Sequence, residues 1–141
     1  MSYTNTFISV ADDCPALTGT VPPVRADKPS VAALQYELLS NNPYKHTEQE
    51  LIMIVHVTRL GLTAAELKVQ GKAIHAELFS NPHPCLRASP LTKQYGWGAH
   101  YDDAGRIAIV AKGSRAYADL EAGKRKPPTV LKAMRNKRAD K

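Results

Sequence analysis

The sequence has 141 residues, 43% of them hydrophobic, which is enough for one hydrophobic core and too few for two. Residues 124–141 contain eight Lys or Arg side chains against one Asp, a net charge of +7, so the first 123 residues sum to −1. No stretch approaches the roughly 18 consecutive apolar residues of a membrane span, and the first residues lack a secretion signal. We therefore expect a cytoplasmic protein, or a nuclear one if the source is eukaryotic, without a membrane segment.

The first quarter of the chain predicts a strand and a helix. Apolar residues flank Ser9 in a strand over residues 7–11, which ends where Asp and Pro follow. An irregular segment reaches about residue 29. Asp27 or Ser30 can then cap a helix in which Val31 and Leu38 lie on one face, ended by the Asn-Asn-Pro run at 41–43.

The middle of the chain contains two capping boxes, Thr47 to Glu50 and Thr63 to Glu66, and each predicts a helix start. The β-branched residues of the segment 51–58 favour a strand, so we predict one helical turn and then a buried strand there. An apolar stripe after the second box predicts a helix to about residue 80, before two prolines.

The last third predicts a β-hairpin over residues 96–110, with Gly105 at the turn position that requires a positive φ. Ser114 caps a short helix that Gly123 ends. This order predicts an α+β fold, with a mostly antiparallel sheet of about four strands and helices packed on one face. We expect a single domain over residues 1–123 and a basic, disordered tail over 124–141, because two prolines separate that tail from the last helix.

No motif for nucleotide binding or serine hydrolysis is complete. The sequence lacks a Walker A loop, and Gly96-Trp97-Gly98 is not followed by the third glycine of a dinucleotide site. A Gly-x-Ser-x-Gly elbow is also missing. Potential zinc ligands occur only as short pairs, such as His83 with Cys85. We therefore predict no metal and no cofactor.

Cys85 is the candidate nucleophile. The nearby Arg87 could lower the pKa of its thiol, and His83 or His100 could act as the base. A phosphatase loop is rejected because position 91 is Leu91 and not arginine. The alternative is a buried cysteine that only packs. Both cysteines are expected to be free thiols in a reducing compartment.

The segment 85–100 concentrates charged, hydroxyl and aromatic side chains in a loop that leads into a strand, where binding residues are often exposed. Trp97 would be either a stacking platform or a core aromatic. Because the first strand and the hairpin are expected to be sheet neighbours, we predict one site from this loop and the end of that strand. The predicted binding residues are Asp12, Asp13, Cys14, Arg87, Ser89, Trp97 and His100, with Cys85 and His100 as catalytic candidates.

The same segments resemble a family of small proteins from bacteria and fungi that is catalogued as a domain of unknown function. The resemblance covers about residues 2–120 and lies in residues 3–8, 13–15, 43–44 and 87–91 and in Trp97 through His100. It implies a stand-alone domain whose signature residues lie in loops, and it assigns no activity.

Three functions stay open at this point. The first is a binding module or an enzyme that uses the loop site for a small molecule or a protein. The second is binding of nucleic acid or another polyanion, with a solvated solubility tail or a nuclear import signal as alternatives for the same residues. The third is an interaction protein without chemistry of its own. The tail residues that would neutralise phosphates are Lys124, Arg125, Lys126, Lys132, Arg135, Lys137 and Arg138.

Overall fold

The computed structural model describes residues 3–23, 30–81, 83, 85–123 and 129–136. In chain order the elements are β1 (Thr6–Ser9), α1 (Val31–Asn41), α2 (Glu48–Leu60), α3 (Ala64–Leu78), a 3-10 turn (Leu86–Ala88), α4 (Pro90–Lys93), β2 (Trp97–Tyr101), β3 (Ile107–Ala111), α5 (Arg115–Ala122) and β4 (Thr129–Lys132).

The strands of the described chain form one sheet in the order β3-β2-β1-β4. β2 pairs antiparallel with both β3 and β1, which places Phe7 opposite His100. β1 and β4 run parallel, with Phe7 opposite Val130. The α+β fold and its mostly antiparallel sheet of four strands are confirmed.

The main core lies on the sheet face that α1 and α2 cover. Ile8 and Tyr101 project from that face and are fully buried. They pack in one cluster with Leu39 of α1 and with Leu51 and Val55 of α2. This face therefore carries most of the apolar burial that stabilises the fold.

A helix also covers the other face of the sheet. Phe7 packs edge-on against Tyr117 of α5, with the ring centroids 5.2 Å apart. The Tyr117 hydroxyl accepts a hydrogen bond from the backbone N–H of Val10 at 2.9 Å. The expectation that helices pack on one face is therefore wrong for α5. A short helix after a hairpin can cross to either face, and this one buries its single tyrosine against Phe7.

The predicted strand at residues 51–58 is wrong, because this segment continues α2. The Thr47–Glu50 capping box forms in both directions, and Gly61 ends the helix at a φ of 70°. Leu51 and Val55 are one helical turn apart and both pack into the main core. The helix-specific cap and this packing outweigh the strand preference of the β-branched side chains.

Several local predictions are confirmed. Ser30 caps α1, and the second capping box begins α3. Gly105 has a φ of 80° in the hairpin turn, and Gly123 ends α5 at a φ of 68°. No helix within the described ranges is long and apolar enough to cross a membrane.

The described end of the chain belongs to the sheet, which corrects the predicted disordered tail for residues 129–136. Four residues of β4 pair with β1, and Ala133 is 4% exposed. The backbone N–H of Ala133 donates to the carbonyl of Ser9 at 2.9 Å. The edge of β1 offers unpaired backbone groups, and a β-branched Thr-Val pair suits that edge. Residues 124–128 and 137–141 of the predicted tail lie outside the described residues.

Candidate functional site

A cavity of about 480 Å³ lies between α1, α2, the end of α3 and the segment that follows it. This volume is typical of small-molecule sites. The apolar residues that line it are Val31, Ile52, Val55, Leu60, Leu78, Ala88 and Pro90. The polar ones are Gln35, His56, Arg59, His83, Cys85 and Ser89.

Cys85 is held on the wall of this cavity by its chain neighbour. Its backbone is extended where it precedes the 3-10 turn, and its side chain is half-buried. Leu86 is 2% exposed in the main core, and its backbone N–H donates to Glu48 Oε1 at 3.1 Å. The backbone next to Cys85 is therefore anchored to the core.

Glu48 and Tyr101 form a buried polar pair behind the thiol. Glu48 is 5% exposed, and its Oε1 accepts a hydrogen bond from the Tyr101 hydroxyl at 2.9 Å. Burial raises the pKa of Glu48, although the hydrogen bonds from Tyr101 and Leu86 act in the opposite direction. Burial also strongly raises the pKa of Tyr101, so this hydroxyl stays protonated and remains a donor.

Tyr3 connects this buried pair to the cavity. Its hydroxyl lies 3.4 Å from Cys85 Sγ, and its ring packs edge-on against Tyr101 with centroids 5.3 Å apart. The hydrogen bond to Cys85 and partial burial raise the pKa of Tyr3. Its hydroxyl is therefore protonated at neutral pH and can donate to the sulfur.

Two imidazoles and one guanidinium share the cavity with the thiol. His56 and Arg59 lie three residues apart on α2 and line the same volume. His83 Nε2 donates to the carbonyl of Leu78, which orients its ring at the cavity wall. Ser89 Oγ donates to Gln35 Oε1 at 2.6 Å and accepts from the backbone N–H of Leu91, so this hydroxyl is satisfied.

The predicted residues at the end of β1 take part in holding β4. Asp12 forms an ion pair with Lys132 Nζ at 2.6 Å, and Asp13 Oδ1 accepts from the backbone N–H of Asn136 at 2.9 Å. Arg87 Nε donates to the carbonyl of Lys132 at 2.9 Å. Asp12, Asp13 and Arg87 are therefore near one another, and their ion pair and hydrogen bonds attach the C-terminal segment to the sheet.

Cys14 and Trp97 lie at the same end of the sheet. Cys14 is half-buried and packs against both hydrophobic clusters. The Trp97 indole N–H donates to the carbonyl of Thr20 at 2.8 Å, and its ring packs on Tyr36 with centroids 5.3 Å apart. Both side chains therefore have structural contacts, and neither lines the Cys85 cavity.

His100 lies apart from the other predicted residues. It is three residues from Trp97 along β2, about 10 Å, and projects from the opposite face. Cys85 and His100 line different spaces, so the structure does not bring together the residues that were expected to form one site. The reason is the alternation of side chains along β2, which sends positions 97 and 100 to different faces.

His100 instead lines a second cleft of about 790 Å³, with Asp102 and Asp103 of the hairpin and Arg115 of α5. Its Nδ1 lies 2.8 Å from the Tyr44 hydroxyl. Burial lowers the pKa of His100, while the two aspartates raise it in part. The imidazole is therefore neutral at physiological pH.

The two described basic residues of the predicted polyanion set lie at the sheet edge. Lys132 is engaged by Asp12, and Arg135 lies just beyond β4. The other five predicted residues lie outside the described part of the chain. Within that part, no three His, Cys, Asp or Glu side chains converge to hold a metal ion.

The chain matches the family of unknown function DUF6157 over residues 1–139. It belongs to this family. No curated protein and no solved structure matches the chain. The DUF6157 match extends past residue 120, where the resemblance was expected to end, and it includes β4.

Several residues that line or back the Cys85 cavity were not predicted from the sequence. His56 and Arg59 were not grouped because residues 51–58 were predicted as a strand, whereas helical spacing would have placed them on one face. Tyr3 precedes Cys85 by 82 residues, and no local motif connects the two. Only the packing of β1 against β2 brings Tyr3 and Tyr101 to the thiol.

Proposed function

We propose that the domain binds a small, largely apolar molecule in the cavity beside Cys85, and that the thiol is the group that meets this ligand. The observation that carries this proposal is the half-buried thiol on the wall of a preformed cavity, with two imidazoles in the same volume. Cavities that combine apolar walls with a few convergent polar groups are the usual small-molecule sites.

The groups around the sulfur support reactivity as well as contact. The Tyr3 hydroxyl can donate to the sulfur at 3.4 Å, and the two imidazoles that line the same cavity, His56 and His83, are the candidate bases for the thiol proton. A thiolate is the nucleophilic form of cysteine. Glu48 acts as a positioning residue, because it holds the backbone of Leu86 and so the adjacent Cys85.

Equilibrium disulfide exchange tests this proposal. In the Cys14→Ser protein, Cys85 is the only thiol. Its thiolate attacks one sulfur of an added disulfide, the S–S bond breaks, and the other half leaves as a thiolate. With excess 2-mercaptoethanol present, intact-protein mass spectrometry measures the fraction of Cys85 in each mixed disulfide. We expect the equilibrium constant for the benzyl adduct to be at least about tenfold larger than that for the hydroxyethyl adduct.

The Cys85→Ser protein is the matched control, because Cys14 is also half-buried but does not line the cavity. We expect Cys14 to show no preference for the benzyl group. Equal preferences at the two cysteines, or no preference at Cys85, would sink the proposal.

We also propose that the protein works in a reducing compartment such as the cytoplasm, since the proposed site requires Cys85 as a thiol. Both cysteines are free in the fold. Reducing compartments keep such thiols available for exchange and ligand contact.

A further inference from the structure

We propose that the ligand of the Cys85 cavity is an amphipathic carboxylic acid, with its carboxylate at Arg59 and its apolar body directed inward. This inference rests on the proposed function, because it concerns the same cavity. It adds the charge and the orientation of the ligand.

The charge of the lining supports an anion. The described residues that line the cavity include one guanidinium and two imidazoles but no Asp or Glu. Glu48 lies behind the wall, 5% exposed, with Oε1 engaged by Tyr101 and Leu86. A bound carboxylate therefore meets positive and neutral groups inside the cavity and no exposed negative one.

Arg59 is the group that would bind the carboxylate. Among the residues described, none forms an ion pair or a hydrogen bond with its guanidinium. A guanidinium binds a carboxylate through two parallel hydrogen bonds. One guanidinium matches a single carboxylate better than a dianionic phosphate ester, so we commit to a carboxylic acid.

The distribution of exposure gives the orientation. Arg59, Leu60 and His83 are exposed and mark the mouth of the cavity, whereas Val55 and Ser89 are buried and mark its interior. The Ser89 hydroxyl and the Gln35 oxygen are already hydrogen-bonded to one another there. The rest of the interior is mostly apolar and, among the described residues, has no Lys or Arg, so the hydrocarbon part of the ligand points inward and the carboxylate stays at the mouth.

Calorimetric titration of the full chain with three eight-carbon probes tests this assignment. The probes are octanoate, its neutral amide octanamide, and octylammonium, which differ in charge and have nearly the same apolar chain. Octylammonium has one methylene more in that chain, which favours its own binding and so makes the expected preference for octanoate a conservative one. We expect octanoate to bind at least about tenfold more tightly than octylammonium, since a charge-assisted pair replaces an unfavourable approach of like charges. Arg59→Gln should weaken octanoate about tenfold and leave octanamide unchanged.

Two variants serve as controls. Arg115→Gln removes another exposed arginine, which lines the His100 cleft and not this cavity, and should leave octanoate binding unchanged. Arg59→Lys keeps the charge without the planar fork and should restore part of the affinity. Circular dichroism verifies that each variant is folded.

The inference is overturned if octanamide or octylammonium binds as tightly as octanoate, if Arg59→Gln has no effect on octanoate, or if none of the three probes binds. Disulfide exchange at Cys85 separates these failures from a failure of the proposed function. If the benzyl preference persists while the charge preference is missing, the cavity accepts apolar ligands and only the carboxylate assignment is wrong.

Discussion

Gly98 lies in β2 at the point where Phe7 and Tyr117 pack against the sheet. A Cβ atom added at this position would lie 2.7 Å from Phe7 Cζ and 2.9 Å from Tyr117 Cε2. Both rings are buried, so neither can move away without loss of packing. We predict that Gly98→Ala lowers the free energy of unfolding by about 1–3 kcal/mol in urea denaturation, the usual cost of overpacking a core.

Gly71 of α3 is the matched control for the same substitution. A Cβ atom there has Leu67 Cδ1 as its nearest neighbour, at 3.6 Å, which is ordinary contact. Gly71→Ala should raise the free energy of unfolding by about 0.5–1 kcal/mol, because alanine has the higher helix propensity. Equal effects of the two substitutions would contradict this account of Gly98.

The chemistry of Cys85 was only partly predictable from the sequence. The residue stands out locally, because it follows a helix and precedes a charged loop. Its partners do not, since Tyr3 is distant in sequence and Glu48 looked like an ordinary first-turn residue of a helix. His100 was grouped with Cys85 because both flank one loop, but the alternation of β2 separates them.

At the scale of elements, β4 makes the C-terminal segment part of the fold. A chain that ends at Gly123 loses four residues of pairing with β1, the buried Ala133 and the ion pair of Lys132 with Asp12. We predict that this truncation lowers the free energy of unfolding by more than about 2 kcal/mol, since each lost hydrogen bond contributes roughly 0.5–1.5 kcal/mol.

A chain that ends at Asn136 is the control, because it keeps β4 and the bonds of Asn136 to Asp13. Urea denaturation of the two truncated chains should give clearly different midpoints. Equal midpoints would show that β4 contributes nothing to stability.

Binding of polyanions by the basic residues stays a prediction, and the chain that ends at Asn136 tests the last five residues without removal of a strand.

The ends of helices and turns were predicted correctly where a single local signal specifies them. Capping boxes, Ser114 and the turn glycines specify ends by their own chemistry. Residues 51–58 of α2 were predicted as a strand because a run of β-branched residues is compatible with a strand or a helix. The packing of Leu51 and Val55 into the core, which favours the helix, is not visible in the sequence. β4 was missed because a four-residue edge strand depends on the free edge of β1, which lies more than 100 residues earlier.

At the scale of the whole molecule, the sheet lies between the Cys85 cavity and the His100 cleft. The Cys85 cavity lies on the side of α1 and α2, and the His100 cleft lies on the side of α5. Asn5 and Tyr44, which line the His100 cleft, both have a left-handed backbone conformation, with φ values of 44° and 56°. Our central proposal is that the Cys85 cavity binds a small ligand, because apolar walls and a nucleophilic side chain occur together there.

Nuclear magnetic resonance of two adducts of the Cys14→Ser protein tests that claim most directly. One adduct carries an S-methyl group on Cys85 and the other a benzyl group, so the comparison removes the effect of modification itself. We predict that the benzyl adduct shifts the side-chain methyl resonances of Val31 and Ile52, which are distant in sequence from the thiol, and of Leu78 in α3, since all three line the cavity. Differences confined to residues 83–87, or located around Tyr44 and His100, would contradict ligand binding in this cavity.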